Sequence, residues 1–372
     1  MPRPALKPHR LLIVLPSWVG DAVMATPALR RVRSALPGAF IGALARPGVD
    51  QLLAGSDLFD EVHVERASGV LGPKFVAAKL RPRRYDTALL LTNSFSTALI
   101  ARVAGIPRRV GYNRDARRLL LTDPLPPERT PRGRFAIVPA VNAYWSLASS
   151  ICADAPAPPR PDQPLTSTHA PLILPPEARL ELTPTPAQQA DAARVLESAR
   201  IGPDQPFAIL NPGGNNPAKR WPPDRFALVA DHLRRTHGLR VLVNTAPTEI
   251  EIARAITENA RTDPVPLADH ASTLGALLPL CARASVMVTN DTGPRHIAAA
   301  MGAPLVSLFG PTDPRWTTIP VRPLADGRPS EVVVAADPQL PIDESANDHP
   351  QRCSVDRITT QRVTEAVDSL LA

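Results

Sequence analysis

A chain of 372 residues, 44% hydrophobic and 21% charged, is too long for one core of ordinary size and reads as a soluble protein of two domains, each of roughly 150 residues. Its longest apolar stretch, residues 11–19, is broken by Pro16 and closed by Gly20 and Asp21; it falls short of the ~18–20 residues of a membrane span and lacks the cleavage region of a secretory leader. Cys152, Cys281 and Cys353 are scattered without a C-x-x-C spacing, which argues against a disulfide framework or a structural zinc site and for a reducing, cytoplasmic setting.

The net charge of +7 is unevenly placed. Thirteen lysines and arginines between Lys79 and Arg134 face four acidic residues, so that segment carries +9 and the remainder about −2. Such a segment either attracts an anionic partner (nucleic acid, a phosphorylated substrate or an acidic membrane surface) or reflects arginine on solvated faces.

In chain order, residues 11–15 read as a buried strand, 22–36 as a helix, and 39–45, 61–64 and 86–91 as further strands. Helical stretches near 70–80 and 95–104 fill the gaps, and another helix is expected at 139–150. This βαβ succession implies a parallel sheet. Residues 152–186 are proline-rich and suit an extended linker. Beyond them the alternation resumes, with helix 187–200, strand 207–210, helix 224–237, strand 240–243 and helices 249–261 and 273–281. Strand 285–289, helix 294–301, strand 304–309 and an amphipathic helix over 359–371 complete the chain. The expected organisation is an N-terminal domain over 1–151, a linker over 152–186, a second domain over 187–356 and a C-terminal helix over 357–372. Ligands of doubly wound sheets sit beyond the carboxyl ends of the strands, so a site in the cleft between the domains is expected. Neither half carries a G-x-x-x-x-G-K-[ST] loop or a G-x-G-x-x-G after its first strand, which disfavours kinase-like and ordinary dinucleotide sites.

Three constellations carry chemistry. In Pro16-Ser17-Trp18-Val19-Gly20-Asp21, Gly20 permits a tight turn and Asp21 stands at a helix mouth, where the dipole favours a carboxylate. It reads either as a helix cap or as a general base facing the cleft. The run from Asn211 to Pro222 joins Gly213-Gly214, Asn215, Asn216, Lys219 and Arg220, a set able to hold phosphate oxygens through backbone N–H groups and a lysine, or to form a charged surface turn. In Thr289-Asn290-Asp291-Thr292-Gly293-Pro294-Arg295-His296 a strand ends and a helix begins with proline in its first turn; helix N-termini bind anions, and a plain capped helix start is the other reading. Asp291 and His296 have no third ligand spaced to join them, so no metal is expected there.

Ser-Trp-Val-Gly-Asp at 17–21, Ala-Lys-Arg-Trp-Pro at 218–222 and Thr-Asn-Asp-Thr-Gly at 289–293, followed by His296 and Ala298-Ala299-Ala300, together resemble glycosyltransferase family 9. Within it they are similar to the ADP-heptose:lipopolysaccharide heptosyltransferases, the heptosyltransferase II type in particular. Asn93-Ser94-Phe95, Ala104-Gly105-Ile106-Pro107, Gly310-Pro311-Thr312 and the closing run from Asp356 to Val363 support the resemblance. The similarity runs in matching order from about residue 11 to the C-terminus.

The resemblance implies an α/β GT-B fold: two Rossmann-like, doubly wound domains facing a central cleft, acceptor on the first and nucleotide-sugar on the second. It implies inverting transfer of L-glycero-D-manno-heptose from ADP-heptose to the inner core of lipopolysaccharide. ADP-heptose is then a co-substrate, and no metal or other cofactor is required. By position, Asp21 is the implied general base, while Lys219, Asn215 and Asn216 hold the diphosphate. Asp291, Thr292, Gly293 and His296 surround the donor heptose and phosphates, and Glu249 lies near the donor ribose. Ser17, Trp18, Asn93, Arg114 and Arg117 are the acceptor-side expectations, and the +9 segment becomes a landing surface for an anionic glycolipid, lipid A with its inner core. That reading places the enzyme in the cytoplasm, with peripheral contact at the cytoplasmic face of the inner membrane.

Three features depart from the family pattern: Asn244-Thr245-Ala246 where glycines are common, Cys353 alone where paired cysteines are frequent, and residues 320–348 without a counterpart. A family member using another nucleotide-sugar or acceptor is the alternative. A nucleic-acid-binding protein is the remote one, because the basic segment holds few aromatics among its arginines, namely Tyr85, Phe95 and Tyr112.

Overall fold

The computed structural model describes residues 8–66, 69, 71–131, 133–152 and 165–372. The chain divides into two compact units, Met1–Asp162 with Leu172–Ala178, and Gln163–Pro171 with Arg179–Ala372. The division falls inside the proline-rich stretch, where the chain passes from one unit to the other more than once. Residues 153–164 of that stretch lie outside the described residues.

The first unit comprises β1 (Arg10–Val14), α1 (Val19–Met24), α2 (Thr26–Ala35), β2 (Phe40–Ala45), α3 (Val49–Leu52), β3 (Glu61–Val64), α4 (Gly72–Leu80), β4 (Thr87–Leu90), α5 (Phe95–Val103), β5 (Arg108–Tyr112), β6 (Asp123–Leu125) and α6 (Ala140–Ser149). Its six strands run parallel in the order β3-β2-β1-β4-β5-β6. Strands as apolar as Leu11-Leu12-Ile13-Val14 are buried, as required of parallel strands covered on both faces. The single helix expected over 22–36 is two. Pro27 has no N–H to continue the ladder, and the Thr26 hydroxyl donates to Val23 O at 2.7 Å.

The second unit comprises α7 (Pro186–Ser198), β7 (Phe207–Asn211), α8 (Pro223–Thr236), β8 (Arg240–Val243), α9 (Ile250–Asn259), β9 (Val265–Pro266), α10 (Leu274–Arg283), β10 (Val286–Asn290), α11 (Gly293–Met301), β11 (Leu305–Phe309), β12 (Glu331–Ala335) and α12 (Thr360–Leu371). Its sheet repeats the plan in the order β12-β11-β10-β7-β8-β9, again all parallel. Helix α12 is part of this unit; its Val363, Val367 and Leu370 join the core with Trp221 and Phe226. Among the described residues no helix is long and apolar enough to cross a membrane.

Four strands were not expected: β5, β6, β9 and β12. Three are sheet edges, where proline and charge are tolerated because one side of the strand needs no partner. Strand β5 is interior, yet it opens with two arginines. Arg108 pairs with Asp123 of β6 at 3.3 Å, and Arg109 is buried while donating to Leu120 O at 2.6 Å and Pro107 O at 3.1 Å.

Candidate active site

Both sheets have the order in which strand direction of travel reverses beside the first strand, between β1 and β4 and between β7 and β10. Loops leaving adjacent strands there part to opposite faces and open a crevice at their carboxyl ends. The three constellations read from the sequence leave β1, β7 and β10, so each unit carries polar groups at its switch point.

In the second unit the loop after β7 is fixed from beneath. Trp221 is fully buried, donates through Nε1 to Ile358 O at 2.9 Å and meets Phe226 edge-on at 5.0 Å. Asn290, at the end of β10, ties the two loops together: its Nδ2 donates to Pro212 O at 2.7 Å, and its Oδ1 accepts from Trp221 N at 3.3 Å. Asn216 Oδ1 accepts from Ala218 N at 3.0 Å and starts a short 3₁₀ turn that ends at Lys219.

From that turn Lys219 Nζ reaches Asp291 Oδ2 at 2.7 Å. Asp291 is nearly buried, and its Oδ2 also accepts from the Thr312 hydroxyl at 2.9 Å. Burial alone would raise the Asp291 carboxyl, but the cations of Lys219 and Arg295 outweigh it and hold the group below the usual carboxylate range. Thr292 is the N-cap residue of α11, and Gly293 and Pro294 open that helix. Asn211 Nδ2 donates to Thr292 Oγ1 at 2.9 Å, and Asn244 Nδ2 to Asn211 Oδ1 at 2.7 Å. Asn244 thus braces the strand end rather than imitating a glycine. His296, one turn into α11, is buried, and burial beside Arg295 pushes its imidazole down to about 3. The ring is therefore neutral, and its buried Nδ1 has no hydrogen-bond partner within the protein.

Glu249 stands against the glycine pair. Its Oε1 accepts from Gly214 N at 2.9 Å and from Arg220 Nη2 at 3.1 Å, and a Cβ on Gly213 would meet its Oε2 at 2.2 Å. Only glycine at 213 permits this approach. Glu249 and Arg220 together clamp the turn that carries Asn215 and Asn216, both of which remain exposed.

Behind α11 lies a network that the sequence hides. Arg295 is fully buried and pairs with Glu331 of β12 at 2.7 Å, beside Ser307. Asp313 and Arg315 form a second buried pair at 2.7 Å, and Asp313 Oδ2 accepts from Ala346 N at 3.1 Å. The 320–348 region is thus part of the second unit's frame, through β12 and these anchors.

In the first unit, Trp18 occupies the N-cap position of α1 with no side-chain cap, and Asp21 lies in the first turn. Tyr144 of α6 donates its hydroxyl to Asp21 Oδ1 at 2.9 Å. Burial, with the carboxylate beside it, pushes that hydroxyl well above the ordinary tyrosine range, so it stays protonated and remains a donor. Ser17 is exposed, and Trp18 is 65% exposed beside the carboxylate. Asn93 follows β4, the strand adjacent to β1 at the switch point.

Arg117 is a correction to the acceptor-side expectation. It is fully buried; Nε donates to Tyr112 O at 3.0 Å, Nη2 to Asn93 Oδ1 at 3.1 Å, and Nη1 to Thr92 O. Burial pushes its guanidinium down to about 10. It braces the loop after β4 from inside and offers no charge to a surface. Arg114 is half-buried over the Phe135 ring at 4.2 Å, and Arg129 also stacks there, at 4.6 Å. The outward charge is therefore smaller than the +9 count implies, because Arg109 and Arg117 are both internal.

These sites sit on two doubly wound α/β units, and comparison with known proteins gives the family. The profile of glycosyltransferase family 9 (heptosyltransferase) matches residues 75–331, and the chain belongs to that family; it is a glycosyltransferase. It is 31% identical to lipooligosaccharide heptosyltransferase 2 of Haemophilus influenzae, over 85% of this chain and 86% of that one. It is 28% identical to lipopolysaccharide heptosyltransferase 2 of Escherichia coli, over 97% and 98% of the two chains. The solved structure of E. coli ADP-heptose LPS heptosyltransferase II superposes with a TM-score of 0.74 at 26% identity, covering 97% of this chain and 98% of that one. The fold is accordingly GT-B, an α/β architecture of two Rossmann-like domains.

Proposed function

We propose that this glycosyltransferase moves L-glycero-D-manno-heptose from ADP-heptose to the inner core of lipopolysaccharide; relatives named as lipooligosaccharide or lipopolysaccharide heptosyltransferases, one of them as an ADP-heptose enzyme, support the reading. The observation that carries the reading is the Lys219–Asp291–Thr312 cluster at the start of α11, with His296 Nδ1 unpartnered beneath it. Lysine has three N–H donors. Two point at Asp291, one to its carboxylate and one, at 3.4 Å, to its carbonyl; the third serves a phosphate oxygen. The backbone N–H groups opening α11 add donors and the positive end of a helix dipole. Asn215 and Asn216 complete the diphosphate site, and Glu249 holds the turn in place behind it.

On the acceptor side Asp21 is the general base. It takes the proton of an acceptor hydroxyl as that oxygen forms its bond to the anomeric carbon, while the bond from that carbon to the ADP oxygen breaks on the opposite face. The electron pair leaves on ADP, whose charge Lys219 and α11 receive, and the sugar inverts. Preorganised donors of this kind stabilise developing charge most strongly where water is excluded, so the reaction needs no metal. Trp18, exposed beside Asp21, together with Ser17 and Asn93, lines the acceptor side. Arg114 and Arg118 offer charge to an anionic glycolipid at the cytoplasmic face of the inner membrane.

The test is to incubate purified protein with ADP-heptose and deep-rough lipopolysaccharide in EDTA and measure ADP release. Turnover in EDTA, with an inverted anomeric centre in the product, is expected. No ADP release from folded protein would overturn the reading, and turnover restored only by a divalent cation would overturn metal independence.

A further inference from the structure

In the second unit, at the far end of α8 from the loop described above, two imidazoles and a carboxylate converge. His232 Nε2 and His237 Nε2 each lie 2.7 Å from Asp368 Oδ1, and one ligand atom from each of the three residues falls within 4.8 Å of the others. We propose that His232, His237 and Asp368 form a site for a divalent transition cation of the zinc type, clasping the C-terminal helix α12 to α8. The site is separate from the transfer chemistry. Helix α8 has 14 residues, so its two ends are about 20 Å apart at 1.5 Å per residue.

The donor set fits such an ion in three respects. Two imidazole nitrogens and one carboxylate oxygen suit zinc and its neighbours rather than magnesium or calcium, which prefer all-oxygen shells. A tetrahedral ion with bonds of about 2.0–2.1 Å holds its ligand atoms roughly 3.3 Å apart. Each imidazole nitrogen now lies 2.7 Å from the carboxylate oxygen, so opening those two contacts by about 0.6 Å admits the ion, and side chains of intermediate exposure, as these three are, can make that movement by rotation. Three protein ligands leave a fourth position for water.

The outer shell also matches. An imidazole that binds metal through Nε2 carries its proton on Nδ1 and needs an acceptor there. His232 Nδ1 lies 3.4 Å from Thr236 Oγ1, one turn further along the same helix. The two rings are held edge to face at 5.6 Å, and α12 is anchored independently by Val363, Val367 and Leu370 in the core. The ligands are therefore presented by elements that packing already holds together, which lowers the ordering needed on binding.

Untagged protein should be titrated with Zn²⁺ by calorimetry, at a pH above the imidazole range so that the ligands are deprotonated. One Zn²⁺ per chain is expected. The melting temperature should rise by about 5 °C at roughly a hundredfold excess over Kd, and EDTA should reverse the rise. His232→Ala and His237→Gln should each weaken binding at least tenfold, with the Zn²⁺-dependent melting shift lost and the EDTA melting temperature close to that of the parent. Co²⁺ in place of Zn²⁺ should give visible d–d absorption that disappears in the same variants. The proposal fails if no saturable Zn²⁺ binding occurs, or if binding and the melting shift survive in the variants. It fails equally if the variants lower the melting temperature by the same amount with and without Zn²⁺, which would make the cluster a hydrogen-bonded clasp only.

Discussion

Tyr144 donates its hydroxyl to Asp21 Oδ1 at 2.9 Å, joining α6 to the first turn of α1 across 123 residues of sequence. The hydroxyl is buried and held protonated, so it acts as a fixed donor that orients the Asp21 carboxylate through Oδ1. If Asp21 is the base, the two residues work as a unit. Asp21→Asn should lower kcat by about 10²–10⁴ with donor affinity nearly unchanged. Tyr144→Phe should lower kcat by roughly 10–150-fold, the worth of one hydrogen bond to a charged group. The double variant should be no slower than Asp21→Asn alone, since coupled residues are not additive. A full multiplicative loss would show that Tyr144 acts elsewhere.

The Lys219–Asp291 pair makes a different prediction, because its two members contribute to different properties. Lys219→Ala removes a phosphate donor and should weaken ADP binding by about 10–100-fold, measured by calorimetry, with the acceptor KM unaffected. It also leaves Asp291 buried with only the Thr312 hydroxyl on Oδ2, so stability should fall by roughly 2–3 kcal/mol in urea unfolding. Asp291→Asn should restore part of that stability in the Lys219→Ala background without restoring ADP affinity. Equal ADP affinity in parent and Lys219→Ala would remove lysine from the donor site.

The basic segment separates into inside and outside. Arg117→Met removes the guanidinium donors to Thr92 O, Tyr112 O and Asn93 Oδ1, leaving Tyr112 O with Arg114 N, and should destabilise the first unit by about 2–4 kcal/mol. Arg118 is exposed, and Arg118→Ala should change stability by less than about 0.5 kcal/mol. Its effect belongs to the acceptor: KM for lipopolysaccharide should rise several-fold at low salt, and the difference should shrink as ionic strength increases. An unchanged acceptor KM in an Arg114→Ala, Arg118→Ala double variant would return the excess charge to solvated faces.

That division marks how far the sequence could be read. Alternating apolar runs and helical periods disclose β1, β7 and β10 and the loops that leave them, because such strands are buried on both faces and their composition is extreme. Asp291 comes directly after β10, whereas Asp21 and Lys219 lie seven and eight residues beyond β1 and β7, so strand pattern marks the loops and only the resemblance singles out those two side chains within them. Arg117 does not follow, because sequence counts a charge without saying whether backbone carbonyls enclose it. Tyr144 was missed for a related reason: one tyrosine among the apolar residues of α6 looks like core, and only the packing of α6 against α1 brings its hydroxyl to a carboxylate. Strand β12 was missed because its carboxylate, Glu331, is matched by Arg295 from α11, a partner 36 residues away.

His296 allows a test by pH. In the folded chain burial, reinforced by Arg295, holds its imidazole down to about 3, against about 6.5 in an unfolded chain. Between those values the unfolded chain binds a proton at this ring and the folded chain does not, so stability falls as pH falls. The slope contributed is at most about 1.4 kcal/mol per pH unit. Asp291 acts at the lower end. Its folded pKa is depressed, so its contribution is fully present above the unfolded carboxylate value and is lost as pH drops through the folded one. Above about pH 4 the difference between parent and a His296→Asn variant therefore isolates the imidazole. Urea unfolding from about pH 7 to pH 4 should show the parent losing stability more steeply than the variant, with the two curves parallel above pH 7. Parallel curves throughout would mean that the ring takes up its proton in the folded protein, and the neutral, unpartnered Nδ1 assigned to the donor site would have to be given up.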